Sequence, residues 1–153
     1  LPPYRPGRPA RRLATVSLFR NFTGLRGLGT QTHLDIDVAP GQIKAAIKDL
    51  ASLGLPSHVS ELGVSLSSKR IELRTVADQF HAQAARVAEA ADAFMDLPPA
   101  QRLAFSVWGL LDTDSWLRAP PNDSAGTDQP LLFDDQGRPK PAFEALAGAL
   151  KRP

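Results

Sequence analysis

The residue with the most to explain in this sequence is Glu61, a single carboxylate in the run HVSELGVSL at positions 58–66. Val59, Leu62, Val64 and Leu66 are strand formers, and a charge set among them is costly unless it is paired or put to work. A carboxylate near the end of a strand can serve as nucleophile, acid or base, and it can equally be half of a structural ion pair. A second group of candidates lies upstream. In GTQTHLDI, positions 29–36, the polar residues Gln31, His33 and Asp35 alternate, so a strand there turns all three to one face. An amide, an imidazole and a carboxylate on one face suggest the wall of a site. His58 and His81 have no carboxylate or second histidine four residues on, and so give no metal signature.

These groups need elements to hold them. Pro40 and Gly41 open an amphipathic helix of about 13 residues, in which Ile43, Ile47 and Leu50 recur at helical spacing; Gly54 closes it and Pro56 blocks its continuation. The Glu61 strand follows, and then a long helix over 72–97, with Leu73, Val76, Phe80, Ala84, Val87, Ala91 and Phe94 on its apolar stripe, ended by Pro98 and Pro99. RLAFSVWGLLD, positions 102–112, has the pattern of a third strand. A long acidic loop over 114–135 contains Trp116, and a final helix over 139–150 turns Phe143, Leu146, Ala147 and Leu150 inward. Strands alternating with helices in this order indicate parallel βα units in an α/β fold.

Composition sets the outer limits. The chain has 153 residues, 42% of them hydrophobic and 22% charged, which is ordinary for one globular domain with a core. No apolar run reaches the roughly 20 residues that span a bilayer, and the start lacks a signal-peptide stretch. A first residue of Leu rather than Met is read as the start of a piece of something longer. With no cysteine, disulfides and thiolate metal sites are excluded.

The basic pI of about 9.3 is local in origin. Residues 1–36 carry six Arg against one Asp, whereas the remainder has 12 basic and 15 acidic residues. The first stretch, LPPYRPGRPARR, is read as an extended solvated arm, followed over 13–22 by a short helix. No aromatic and basic residues interleave on a strand there, so no nucleic-acid partner is expected. The acidic loop offers Asp112, Asp114, Asp123 and Asp128 as oxygen donors for calcium, but at spacings unlike an EF-hand, and a solvated loop is the preferred reading.

Four motifs, GLGTQTHLDI, SELGVSL, SVWGLLDTDSWL and PLLFDDQGRPKPAFEALAGAL, resemble in that order the last three βα units of family 10 glycoside hydrolases, the endo-1,4-β-xylanases. The resemblance covers about residues 24–152, with 28 residues from His33 to Glu61 and 8 from Trp108 to Trp116. It implies that residues 24–153 are the C-terminal portion of a (β/α)₈ TIM barrel, about three parallel βα units with the barrel incomplete; residues 1–23, a basic Pro/Arg-rich arm and a poorly assigned segment, depart from the family's pattern. It further implies that Glu61 is the nucleophile of a retaining mechanism, and that His33 hydrogen-bonds it and helps keep it ionised. Gln31 would contact the sugar beside the cleaved bond, and Trp108 and Trp116 would form aromatic walls of that subsite. The substrate would be β-1,4-xylan or a xylo-oligosaccharide, with no cofactor, metal or membrane involved, and the enzyme would be secreted.

Two departures from the family pattern carry consequences. Where the family has Glu-Leu-Asp, this chain has Glu61-Leu62-Gly63, and the missing Asp is the one expected to orient His33. The family's general acid/base Glu lies on earlier strands that nothing here matches. Of the internal alternatives, Glu72, Glu89 and Glu144 fall on helix patterns, and Asp112 and Asp114 follow the last strand. The missing N-terminal half of the barrel is therefore expected in a longer chain, and this chain alone is expected to be inactive; the competing expectation is a truncated barrel that at most binds carbohydrate or a partner.

Overall fold

The computed structural model describes residues 24, 26–66, 75–121 and 126–152. The arm, the helix expected over 13–22, and the residues Glu72, Leu73 and Asp123 lie outside them. Three strands, β1 (Leu28–Asp35), β2 (Ser57–Ser65) and β3 (Arg102–Val107), form one parallel sheet in the order β1-β2-β3. Helices α1 (Gln42–Ala51) and α2 (Val76–Met95) make the two crossovers, and α3 (Pro141–Leu150) follows the last strand. The alternation read from the sequence is thus the alternation observed.

The core lies between β2 and the helices. Val59, Leu62 and Val64 are buried against Ile43 and Ile47 of α1 and against Val87, Ala91 and Phe94 of α2, with Ala142 and Leu146 of α3 completing the layer. Alanines 90, 91 and 93 are all buried, which lets α2 lie close to its neighbours without displacing bulk. Helix α2 begins at a capping box in which Thr75 and Asp78 exchange hydrogen bonds. Helix α1 has no side-chain cap of its own. The Glu89 carboxylate, from α2, accepts the Ile43 and Lys44 backbone N–H groups at 3.0 and 3.1 Å, so one helix caps another.

Two expectations are corrected. The third strand does not run to 112; it stops at Val107, because Gly109 at φ 134° turns the chain where a Cβ would meet Leu131 Cδ1 at 2.7 Å. The loop after it is not a solvated acidic segment. Asp112 is fully buried, bound by Lys140 Nζ at 2.9 and 3.0 Å and by the Leu131 N–H at 2.8 Å. Asp128, also buried, accepts the Leu66 N–H at 2.8 Å. The physical reason is that backbone folded into the interior brings donors that must be satisfied, and these carboxylates satisfy them. As to the calcium reading, no group of three or more His, Cys, Asp or Glu able to hold a metal ion occurs among the described residues.

The pairing of β2 with β3 shifts between Ser57 and His58, and the pairings of β2 with both neighbours shift around Glu61. From Gln31 to His33 β1 advances two residues while β2 advances three, from Ser60 to Gly63; from Phe105 to Val107 β3 advances two while β2 again advances three, from Val59 to Leu62. Strand β2 therefore carries one extra residue relative to both neighbours. Glu61 lies in both intervals and has φ 57°, the left-handed backbone that a non-glycine side chain disfavours.

Among the described residues β1 and β3 each have one strand neighbour, and Leu103 on β3 is 60% exposed.

Two stability measurements follow from this. Asp112→Ala strands a buried ammonium and a buried N–H, so urea unfolding should show a loss of about 3–5 kcal/mol; a loss under about 1 kcal/mol contradicts the buried-pair account. Glu61→Gly and Glu61→Ala both lose the carboxylate, but only glycine relieves the left-handed backbone, so the same assay should find Glu61→Gly more stable than Glu61→Ala by about 1 kcal/mol, and equal stability would contradict strain at this position.

Candidate active site

The extra residue in β2 puts the Glu61 carboxylate between two side chains of β1. Gln31 Nε2 donates to Oε1 at 3.1 Å, and His33 Nε2 lies 3.0 Å from Oε2. Each carboxylate oxygen therefore has one partner, and the two partners flank the register shift on β1. An ionised carboxylate only accepts, so the ring proton of a neutral His33 belongs on Nε2. The other ring nitrogen, Nδ1, is buried and has no hydrogen-bond partner among the described residues.

Gly63 is the register partner of His33. A Cβ built on it would meet Leu117 Cδ1 and Leu131 Cδ2 at 3.9 Å and the Pro130 oxygen at 4.0 Å, all ordinary contacts. Glycine is thus not required there by space. Its consequence is chemical: the residue opposite the imidazole brings no side-chain acceptor for Nδ1.

The two tryptophans are half-exposed large rings, Trp108 at 48% and Trp116 at 40%. Trp108 follows β3 directly, and its N–H donates to the Leu62 carbonyl at 3.1 Å, one residue along from Glu61. Trp116 heads a short 3₁₀ turn, Trp116–Arg118, and stands edge-on to His33, with ring centroids 5.2 Å apart and planes at 74°. Of the five residues singled out from the sequence, four thus come together by direct contact or ring packing or through a common carboxylate: Gln31, His33, Glu61 and Trp116. Trp108 is tied to the same place through the backbone.

Asp35, expected on the same face as Gln31 and His33, does not join them. It is the last residue of β1, and its carboxylate accepts the Asp37 N–H at 2.9 Å. The carboxylates weighed as a second acid that lie among the described residues are placed in other roles or on helices. Burial pushes the Asp112 carboxyl up while its bonds from Leu131 and Lys140 oppose that, and the Lys140 amine is pushed down by the same burial. Asp114 accepts the Leu111 N–H at 2.9 Å, Glu89 caps α1, and Glu144 lies in the first turn of α3. Sequence reasoning missed the supports of the site, among them Ser115, whose Oγ accepts the Leu117 N–H at 3.3 Å, and the His58 Nε2 to Ser106 Oγ hydrogen bond of 2.9 Å. Only position could have found them, since neither belongs to a recognisable pattern.

The model of glycosyl hydrolase family 10 matches residues 11–149. The chain is 34% identical over 152 residues to a thermostable celloxylanase of Thermoclostridium stercorarium, covering 94% of this chain and 38% of the relative. It is 30% identical over 148 residues to endo-1,4-beta-xylanase A of Cellvibrio japonicus, covering 87% of this chain and 24% of the relative. A thermostable mutant of the xylanase Xyn10A from the same organism superposes with a TM-score of 0.81 at 27% identity, over 96% of this chain and 46% of that one. Xylanase 10C of Cellvibrio japonicus, solved in complex with xylopentaose, gives 0.79 at 29% identity over 94% of this chain and 31% of that one. The chain thus spans less than half the length of these relatives, and its open three-stranded sheet is part of a TIM barrel. With the family model matched over most of its length, this chain belongs to glycosyl hydrolase family 10.

Proposed function

We propose that this chain carries the nucleophile half of a retaining xylanase, one that hydrolyses internal β-1,4 xylosidic bonds. The observation that carries the reading is Glu61 with one partner on each oxygen, His33 Nε2 at 3.0 Å and Gln31 Nε2 at 3.1 Å, beside two half-exposed indoles. Glu61 Oε attacks the anomeric carbon, the glycosidic C–O bond breaks, and a glycosyl-enzyme forms; water later attacks that carbon and releases the carboxylate. His33, by donating from Nε2, holds the carboxylate in line. Gln31 holds the other oxygen and contacts the sugar beside the cleaved bond, and Trp116 and Trp108 pack on apolar pyranose faces.

The step this chain does not supply is protonation of the leaving oxygen. A retaining pair stands about 5 to 5.5 Å apart, and the carboxylates weighed from the sequence that lie among the described residues are engaged in caps, ion pairs or helices. The acid/base belongs to the barrel half outside this sequence, in a longer chain, and the 153 residues alone do not cleave xylan. A polymeric substrate places the working enzyme outside the cell.

A second reading, a barrel portion that binds xylo-oligosaccharide without reacting, is favoured by one observation: the unpartnered Nδ1 of His33 opposite Gly63.

The two readings separate with a sugar whose leaving group needs no acid. A 2-deoxy-2-fluoro-xylobioside with a dinitrophenolate leaving group asks only for the nucleophile, and the fluorine slows release of the covalent product. Mass spectrometry of the treated 153-residue chain should find one fluorosugar on the peptide containing Glu61 and none in Glu61→Gln. No labelling, with xylopentaose still bound, establishes the second reading; labelling at another residue contradicts the assignment of Glu61.

A further inference from the structure

The turn that presents Trp116 has a fastening at each end. At its start Ser115, buried, accepts the Leu117 N–H, and in the middle Leu117 lies over Gly63, next to the β2 bulge. At its far end Arg118 donates from Nε to the Gly126 carbonyl and grips the Asp135 carboxylate with both terminal nitrogens, Nη1 to Oδ1 and Nη2 to Oδ2, the latter at 2.9 Å. The Arg118 hydrogen bond holds the Asp135 carboxyl below its usual range. Asp135 is itself set in a tight turn, where Asp134 Oδ1 accepts the Gln136 and Arg138 N–H groups, both at 2.9 Å. A three-residue 3₁₀ turn has little stability of its own, so the angle of the indole it carries depends on these fastenings.

We infer that the bidentate Arg118–Asp135 clamp is a positioning pair that holds Trp116 edge-on to His33 and thereby sets how tightly the site takes a sugar ring, not how fast a bound sugar reacts. A planar guanidinium against a planar carboxylate fixes orientation as well as distance, which a lysine could not do. The ring it orients must lie flat on a pyranose face within a narrow range of angles to contribute. The inference rests on the reading of Trp116 as a wall of the sugar subsite.

The test uses the 153-residue chain grown with 5-fluorotryptophan, whose two ¹⁹F resonances are assigned with Trp108→Phe and Trp116→Phe. In Asp135→Ala the Trp116 resonance should move and broaden without sugar while that of Trp108 stays, and Kd for xylopentaose should rise about three- to fivefold. With the fluorosugar, the half-saturating concentration should rise while the labelling rate at saturation is unchanged. Arg118→Met should reproduce these changes without adding to them, and Asp135→Glu should restore them in part. An unmoved Trp116 resonance with unchanged affinity overturns the clamp, as does a loss confined to the saturated rate. If xylopentaose moves neither resonance in the unsubstituted chain, the sugar-site reading fails, whereas the Trp116 resonance in sugar-free Asp135→Ala still decides the clamp.

Discussion

Because β2 carries one residue more than either neighbour around position 61, Glu61 must take a left-handed backbone, and from that constraint the arrangement of the site follows. A regular strand would carry Ser60 and Leu62 on one face and Val59 and Glu61 on the other, so Val59 and Leu62 could not share a face. The inserted residue breaks that alternation, so Val59, Leu62 and Val64 stay in the core while the carboxylate meets Gln31 and His33. Strain at a reactive side chain persists only when the surroundings hold it. Here the parallel pairing resumes on both sides of the break, and the helices press on the buried face.

The same economy appears in the segments around the sheet. Glu89 caps a helix other than its own, Asp112 and Asp128 satisfy buried backbone, and Lys140 neutralises Asp112 while its Nζ also reaches the Gln129 carbonyl at 2.7 Å. These groups fix the loop between β3 and α3, and that loop brings Trp116 to His33. Glu89, Asp112 and Asp128 are thus committed to structure, whereas the Glu61 carboxylate faces Gln31 and His33. Among the described residues the sheet is open on both sides, and the relatives are more than twice as long, as part of a barrel requires.

The order of strands and helices was legible in the sequence because the periods are clear: Ile43, Ile47 and Leu50 on one helix, Val59 and the residues after it on a strand. Motif resemblance, rather than spacing, linked His33 to Glu61. The bulge was not legible, since nothing in HVSELGVSL marks a glutamate for positive φ; Asp35 was assigned to the site because alternation does not show that β1 ends there, with its carboxylate turned to the Asp37 N–H. The overrun of β3 came from Leu110 and Leu111 continuing an apolar run; the stop lies in Gly109, whose missing Cβ makes room for Leu131. Asp112 and Asp128 looked solvated because their polar neighbours in sequence hid that their partners, Lys140 for the one and Leu66 for the other, are distant along the chain.

The central claim is that Glu61 is held as an acceptor by the Nε2 proton of His33. The ¹⁵N shifts of the His33 ring, read through its carbon-bound protons in the 153-residue chain at neutral pH, test it most directly. A protonated Nε2 and a bare Nδ1 are the expected result. A ring with its proton on Nδ1 and a bare Nε2 facing the carboxylate would contradict the account, since nothing would then pass between the two side chains but repulsion.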